Sequence, residues 1–333
     1  MKALAIDAGI PVLREIPDPA VTQPDDVLIG VKATGVCGTD LLILTGRYPS
    51  RDGVVLGHES TGVVLGVGRE VRRVAPGDRV VLDPTYHCSA CFCCRTGRPN
   101  YCEDKATTET GVSKDGTFAD LHVARESFVY KLPDELTYEE GTLTEPLACV
   151  LHGLSHTRLR LDSRVLVVGA GPIGLLFAGA MAASGHEVGI AEIDSYRQSL
   201  ARTVVPGISI VDTGRSASRR FDLIVDTSGR ALEMALPLVE RGGEVLLAGL
   251  DYTVEARIRP AYLTDNGIRL IGSIDTDRTF EPALSLLRRV PTLRKIVTHC
   301  LPLARFAEAL RLLGYADPGT RSAIGAGKVV LAP

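Results

Sequence analysis

Two sets of residues in this chain have the types and spacing that hold a metal ion. Cys88, Cys91, Cys94 and Cys102 form Cys-x2-Cys-x2-Cys-x7-Cys in a loop poor in hydrophobic residues. Four thiolates so spaced can surround one tetrahedral ion and leave no open position, which predicts structural zinc. Cys93 adds a fifth thiol and leaves the register of the third ligand open; a redox-reactive cluster is the other reading of so many thiols. The second set is dispersed: Cys37 in Gly35-Val36-Cys37-Gly38-Thr39-Asp40, the pair His58-Glu59 in Gly57-His58-Glu59-Ser60-Thr61-Gly62, and Glu145 before Pro146. Taken singly, Cys37 reads as a small buried hydrophobe and His58 as a satisfied core histidine. Together they make a mixed sulfur, nitrogen and oxygen site that can leave a position open for water or substrate. Pro146 restricts the backbone of Glu145 and so the direction of its side chain.

A third pattern suits a diphosphate. The apolar run Val165–Val168 leads directly into Gly169-Ala170-Gly171-Pro172-Ile173-Gly174 and then into Leu175–Ala183, rich in helix formers. A Gly-x-Gly-x-x-Gly alone is weak, but here it closes a strand and opens a helix. Gly169 permits the tight turn, Gly171 lets the backbone approach a pyrophosphate, and Gly174 lets the helix lie close on the sheet. Pro172 suits the first helical turn, where a missing N–H costs little. Glu192 ends the next strand, 18 residues beyond Gly174. A carboxylate there can accept both ribose hydroxyls and would repel a 2′-phosphate, which favours NAD over NADP. Arg197 argues the other way, since a guanidinium just past the strand can meet a phosphate; a solvated strand-end acid is the plain alternative for Glu192.

These residues need elements to position them. The chain has 333 residues, beyond the size at which a single core stops growing, so two domains are expected. Residues 1 to about 150 read as short β segments, among them Val27–Ala33, Thr61–Val67, Arg79–Asp83 and Phe128–Leu132, broken by Gly and Pro turns. From about Arg164, apolar runs at Val165–Val168, Val188–Ala191, Leu223–Val225 and Glu244–Ala248 alternate with helix-compatible stretches, the pattern of a parallel sheet with crossovers. A helix over Leu303–Leu313 and a strand over Lys328–Leu331 follow, and Arg215–Arg220 reads as a solvated loop face. Thirty-seven Lys and Arg against 40 Asp and Glu give a charge of −3, with no strong pull toward nucleic acid or an anionic membrane. Met1–Ile10 lacks the pattern of a signal peptide, and the longest apolar candidate, Leu175–Ala183, is far short of a membrane span. A soluble, cytoplasmic protein is therefore expected, in which eight cysteines point to metal rather than disulfides.

The motifs resemble those of the zinc-containing medium-chain dehydrogenase/reductase family. Gly57-His58-Glu59, Gly62, Gly68 and Val71 match its zinc signature, Gly77-Asp78-Arg79-Val80 follows, and the four-cysteine loop has its structural-zinc spacing. Tyr130-Lys131-Leu132-Pro133-Asp134, Glu139-Glu140-Gly141 and Glu145-Pro146-Leu147 are more similar to the sorbitol and polyol dehydrogenase branch. The resemblance implies an α/β protein in two lobes: a GroES-like β-rich catalytic domain (1–150 and 291–333) and an inserted Rossmann domain (151–290). It implies that Cys37 and His58 bind catalytic zinc, that Glu59 and Glu145 approach it directly or through water, and that Asp40 orients His58. Thr39 would bond the substrate hydroxyl and start a proton relay. Thr227, Leu250 and Ser273, in turns after successive apolar segments, would line the nicotinamide pocket, although a purely structural role in those turns is equally consistent. Leu42 stands where many relatives carry a relay histidine; water, the cofactor ribose or another side chain would replace it, and Tyr48 is one candidate, or simply a wall of the pocket.

The expected chemistry follows. Zinc would act as a Lewis acid on an alcohol oxygen, Thr39 would take the proton, and the nicotinamide would accept hydride. The polyol-type site suggests a small-molecule secondary alcohol: a sugar alcohol, cyclitol or aminocyclitol. A threonine-type amino alcohol dehydrogenase is the alternative within this chemistry, and a non-catalytic NAD- and zinc-binding relative the alternative outside it. Family members are commonly homodimers or homotetramers, and the same is expected here.

Overall fold

The computed structural model describes residues 1–7, 9–214, 220–317, 320, 321 and 324–333. The stretch read as a solvated loop, Arg215–Arg220, lies outside the described residues except for Arg220. The chain forms two units, one of residues 1–146, 276–288 and 297–333, the other of 147–275 and 289–296.

The first unit is built on a seven-stranded, mostly antiparallel sheet. Its order is Val297–Pro302, Lys328–Ala332, Asp26–Gly35, Glu59–Val67, Arg79–Leu82 and Val129–Lys131, with Leu121–Arg125 also paired to Asp26–Gly35. Two cores flank these strands. One gathers Val27, Ile29, Val64, Val80, Leu82 and Phe128. The other gathers Leu4, Val36, Ile43, Leu56, Phe118 and Leu331. The strand Asp26–Gly35 is buried along nearly its whole length, and its stretch Val27–Val31 is continuously apolar rather than alternating. It delivers the chain to Cys37, where the short helix Gly38–Leu44 begins.

The second unit is a six-stranded parallel sheet in the order Ser209–Ile210, Glu187–Ala191, Arg164–Val168, Phe221–Asp226, Val239–Leu247 and Arg269–Gly272. Numbered along the chain this order is 3-2-1-4-5-6, that of a doubly wound dinucleotide-binding sheet, whose ligand crevice lies beyond the carboxyl ends of strands 1 and 4. The helix Pro172–Ala183 buries every residue from Gly174 to Met181, which explains an apolar run too short for a membrane. Among the described residues, no helix is long and apolar enough to cross one.

Two details differ from the sequence expectation. Residues 276–288 belong with the first unit: the Phe280 ring stacks on Tyr130 with centroids 5.1 Å apart, and Arg288 pairs with Glu135 at 2.6 Å. Residues 289–296 return to the second, where Leu293 lies so close to Gly179 that a Cβ there would sit 2.3 Å from Leu293 Cδ2. The fifth parallel strand also begins early, at Val239, because Gly242 and Gly243 mark a register shift inside the strand rather than its boundary.

The glycine turn is packed to its limit. Gly169 has φ of +98°, and a Cβ on Gly174 would lie 2.0 Å from the Gly169 carbonyl oxygen. Gly174→Ala is expected to cost about 1–3 kcal/mol by overpacking and to lower the melting temperature of the apoprotein by several degrees. An unchanged melting temperature would show that the helix does not depend on this close approach.

Candidate active site and metal centres

Cys37 stands at the N-cap of Gly38–Leu44, and Asp40 in the first turn reaches back to it: Cys37 N–H donates to Asp40 Oδ2 at 2.8 Å. The other oxygen, Oδ1, accepts from Gly57 N–H at 3.3 Å. Asp40 thus acts on the backbone beside both Cys37 and His58, and on the His58 imidazole through its charge. Its carboxyl is fully buried, and desolvation raises its pKa despite the nearby His58.

Cys37 Sγ, a ring nitrogen of His58 and a carboxylate oxygen of Glu59 all lie within 4.8 Å of one another. Glu145 is buried and near enough to act electrostatically on His58, but it stands outside that group of three. Burial pulls the His58 imidazolium down, yet Cys37, Asp40 and Glu145 together more than offset this and hold its pKa well above the usual histidine range. The pocket is therefore built for positive charge. A soft thiolate, an imidazole and a carboxylate converging in such a place fit zinc. Thr39 Oγ1 lies 3.7 Å from Cys37 Sγ, half-exposed at the same spot. The Tyr48 hydroxyl donates to Glu109 at 3.3 Å.

Lys328 was not singled out by its sequence. It is buried, and its ammonium donates to Glu59 Oε1 at 2.7 Å and Oε2 at 2.5 Å. The signal was present: a lysine opening the apolar run Lys328-Val329-Val330-Leu331 is out of place in a core strand unless it has a partner.

The four-cysteine loop closes on itself. Cys91 Sγ lies 3.5 Å from Cys94 Sγ and 4.0 Å from Cys102 Sγ, and Cys88 Sγ lies 3.9 Å from Cys94 Sγ. A tetrahedron with metal–sulfur bonds of about 2.3 Å has edges of roughly 3.8 Å, so the set fits one zinc ion. Cys94 belongs to this group of four, and Cys93 does not.

In the second unit, Gly171 caps the helix Pro172–Ala183 with Pro172 and Ile173 in its first turn, and nothing lies within 4 Å of the Cβ position of Gly171. That open face beside helical N–H groups fits a diphosphate. Glu192 folds onto this turn: Oε2 accepts from Ala170 N–H at 2.7 Å, and Oε1 from Ile193 and Asp194 N–H at 2.7 and 2.9 Å. Arg197 has a buried Nε with no hydrogen-bond partner. Thr227 Oγ1 donates to Val168 O at 2.8 Å and so ties the glycine turn to the neighbouring strand. Leu250 is exposed, and Ser273 N–H donates to Leu247 O at 3.1 Å.

A β-rich unit with two metal-binding constellations, joined in one chain to a dinucleotide-type parallel sheet, defines an alcohol dehydrogenase-type oxidoreductase. Residues 23–134 match the model of the alcohol dehydrogenase GroES-like domain. The chain is 32% identical over 323 residues to the sorbitol dehydrogenase of Bombyx mori, covering 90% of this chain and 91% of that one. It is 34% identical over 316 residues to the D-altritol 5-dehydrogenase of Agrobacterium fabrum, covering 90% and 91% respectively. Among solved structures it is similar to a Sinorhizobium meliloti protein, provisionally named as a zinc-binding dehydrogenase and solved with NADP: TM-score 0.89, 28% identity, 100% of this chain and 99% of that one. The chain belongs to the zinc-dependent medium-chain dehydrogenase/reductase family, in its polyol dehydrogenase branch.

The Cys94 assignment separates two neighbours. Cys94→Ser should remove one zinc per chain and lower the melting temperature, whereas Cys93→Ser should leave the metal content unchanged. The reverse pattern, read by atomic absorption, would place Cys93 in the site.

Proposed function

We propose that this chain is a zinc- and NAD-dependent dehydrogenase that reversibly oxidises a secondary alcohol of a polyol, cyclitol or aminocyclitol to the ketone. The observation that supports this most is the convergence of Cys37, His58 and Glu59 within 4.8 Å, with the Thr39 hydroxyl beside them. In this reading Cys37, His58 and Glu59 hold the catalytic zinc, with Glu145 close by, and Cys88, Cys91, Cys94 and Cys102 hold the structural one. When bound, zinc supplies Lewis-acid polarisation of the alcohol oxygen and the nicotinamide supplies the hydride acceptor.

The chain's own residues do the remaining work. Thr39 accepts a hydrogen bond from the substrate hydroxyl and takes its proton by general acid–base exchange. Leu42 offers no titratable group to pass that proton on, and Tyr48 is engaged with Glu109, so we assign Tyr48 to the pocket wall and the onward path to water or the cofactor ribose. Gly171 and the first turn of Pro172–Ala183 receive the diphosphate. Glu192 supports NAD, because a carboxylate at the strand end repels a 2′-phosphate. Arg197 and the NADP in the Sinorhizobium structure favour the other cofactor. The relatives' sorbitol and D-altritol support a polyhydroxy substrate; cyclitols and aminocyclitols present the same secondary alcohol flanked by polar groups. We also infer a homodimer or homotetramer, since the parallel sheet ends in the edge strand Arg269–Gly272.

A panel of alditols, cyclitols and aminocyclitols with NAD, followed as NADH absorbance, tests the reading. Turnover is expected with at least one class and a preference for NAD over NADP; Cys37→Ala should abolish it and remove one zinc per chain while the protein stays folded. No oxidation in the panel and no ketone reduction in reverse would favour a non-catalytic binding protein, and preference for NADP would assign the dominant role to Arg197.

A further inference from the structure

The helix Thr144–Ser155 ends in the second unit with two histidines one turn apart, His152 in its last turn and His156 directly after its last residue. The spacing His152-Gly153-Leu154-Ser155-His156 puts both imidazoles on one face, the arrangement by which a helix offers two nitrogens to one ion. The rings meet nearly at right angles, with centroids 4.6 Å apart and planes at 80°, and the two Nε2 atoms are 3.3 Å from each other. Two nitrogens on a tetrahedral zinc ion, with bonds of about 2.0–2.1 Å, lie roughly 3.3–3.4 Å apart. The bite of the pair already has that length. His152 is 6% exposed and packed into the unit, whereas His156 is exposed, so an ion held between them would be reached from solvent and would keep water on its outer side. The electrostatics also suit a cation. The pair stands at the carbonyl end of a 12-residue helix, where the partial charge is negative. Arg269 approaches the His156 carbonyl at 3.4 Å, but its charge is matched by the buried Glu244 carboxylate, with which it forms an ion pair.

We propose that His152 and His156 form a third, exchangeable metal site for zinc or another imidazole-preferring divalent ion, with water completing the coordination. In the contact between two neutral rings, one Nε2–H donates to the lone pair of the other Nε2. On binding, the donor ring carries its proton on Nδ1 instead, both Nε2 lone pairs go to the ion, and no net proton leaves. Imidazole nitrogens suit zinc, nickel and copper, and two of them with water retain an ion less firmly than four thiolates do. The site therefore loads and empties with the supply of free metal, and loading clips the end of the helix to the first residue beyond it.

The test is a calorimetric titration with zinc chloride near neutral pH, on full-length protein first saturated with zinc and then dialysed so that only firmly held metal remains. Wild type should take up one further equivalent per chain. His156→Gln changes an exposed side chain at a helix end, so the variant should fold, keep the firmly held zinc and melt as wild type does without added metal. Its affinity for the further equivalent should fall by about tenfold or more, because one imidazole alone does not chelate. His156→Cys returns a zinc ligand to the same position and should bring the affinity back to within about tenfold of wild type. Added zinc should raise the melting temperature of wild type and of His156→Cys, but not of His156→Gln. Absence of a further equivalent in wild type overturns the proposal, as does undiminished binding by His156→Gln, which would assign the zinc to other surface groups. Failure of the Cys37 or four-cysteine sites would instead appear in the zinc retained after dialysis, before the titration begins.

Discussion

Cys37 and His58 are 21 residues apart in the chain, and they meet because one buried carboxylate accepts a backbone N–H beside each of them. Asp40 Oδ2 closes the cap on Cys37 while Oδ1 holds Gly57, so the helix start and the strand start become a single rigid corner. The cost is desolvation of a carboxyl with no water to meet it, visible as a raised pKa. Backbone N–H donors offset that cost better than a flexible side chain would, since they are already fixed by the sheet and the helix. Gly57, with φ of +88°, allows the turn that aims its N–H at Asp40; a Cβ there would also lie 2.8 Å from Phe118 Cγ.

The same economy governs the cofactor unit, where a few short contacts hold a turn that must also leave space. Gly169 and Gly174 approach within reach of one carbonyl, Thr227 bonds Val168 O, and Glu192 bonds Ala170 N–H from the next strand. Three neighbouring strands are thereby joined around one glycine loop, on the side where Gly171 faces open space. Glu192 has a part in this apart from any ribose, because its carboxylate already satisfies three N–H groups.

Much of this was legible in the sequence, and the reasons differ by element. Parallel strands such as Arg164–Val168 are covered on both faces and read as apolar runs, so they stand out; the glycine pattern was informative because it followed one of them. The four-cysteine set stood out because its residues are local, while which of Cys93 and Cys94 joins the group depends on geometry that spacing does not carry. What periodicity could not show was long-range. Residues 276–288 join the first unit through Phe280 on Tyr130 and Arg288 on Glu135, contacts between segments about 150 residues apart that leave no local trace. Lys328 escaped for the same reason: its partner Glu59 lies 269 positions away. Asp40 lies near His58, and its bonds go to the backbone N–H groups of Cys37 and Gly57, which sequence spacing alone could not show.

Charge explains why these pieces belong together. Asp40, Glu59 and Glu145 are buried carboxyl groups beside the half-buried Cys37 thiol, and Lys328 brings one buried positive charge among them. Such an imbalance is costly in a low-dielectric interior unless more positive charge arrives. Cys37, Asp40 and Glu145 raise the affinity of His58 for a proton against the effect of burial. A divalent ion meets more of the demand with one particle, and it requires the neutral imidazole, so the features that hold the proton also favour its exchange for metal. The raised proton affinity of His58, the buried lysine and the convergence of three ligand atoms share one cause: acidic and thiol groups gathered where three of the four are buried.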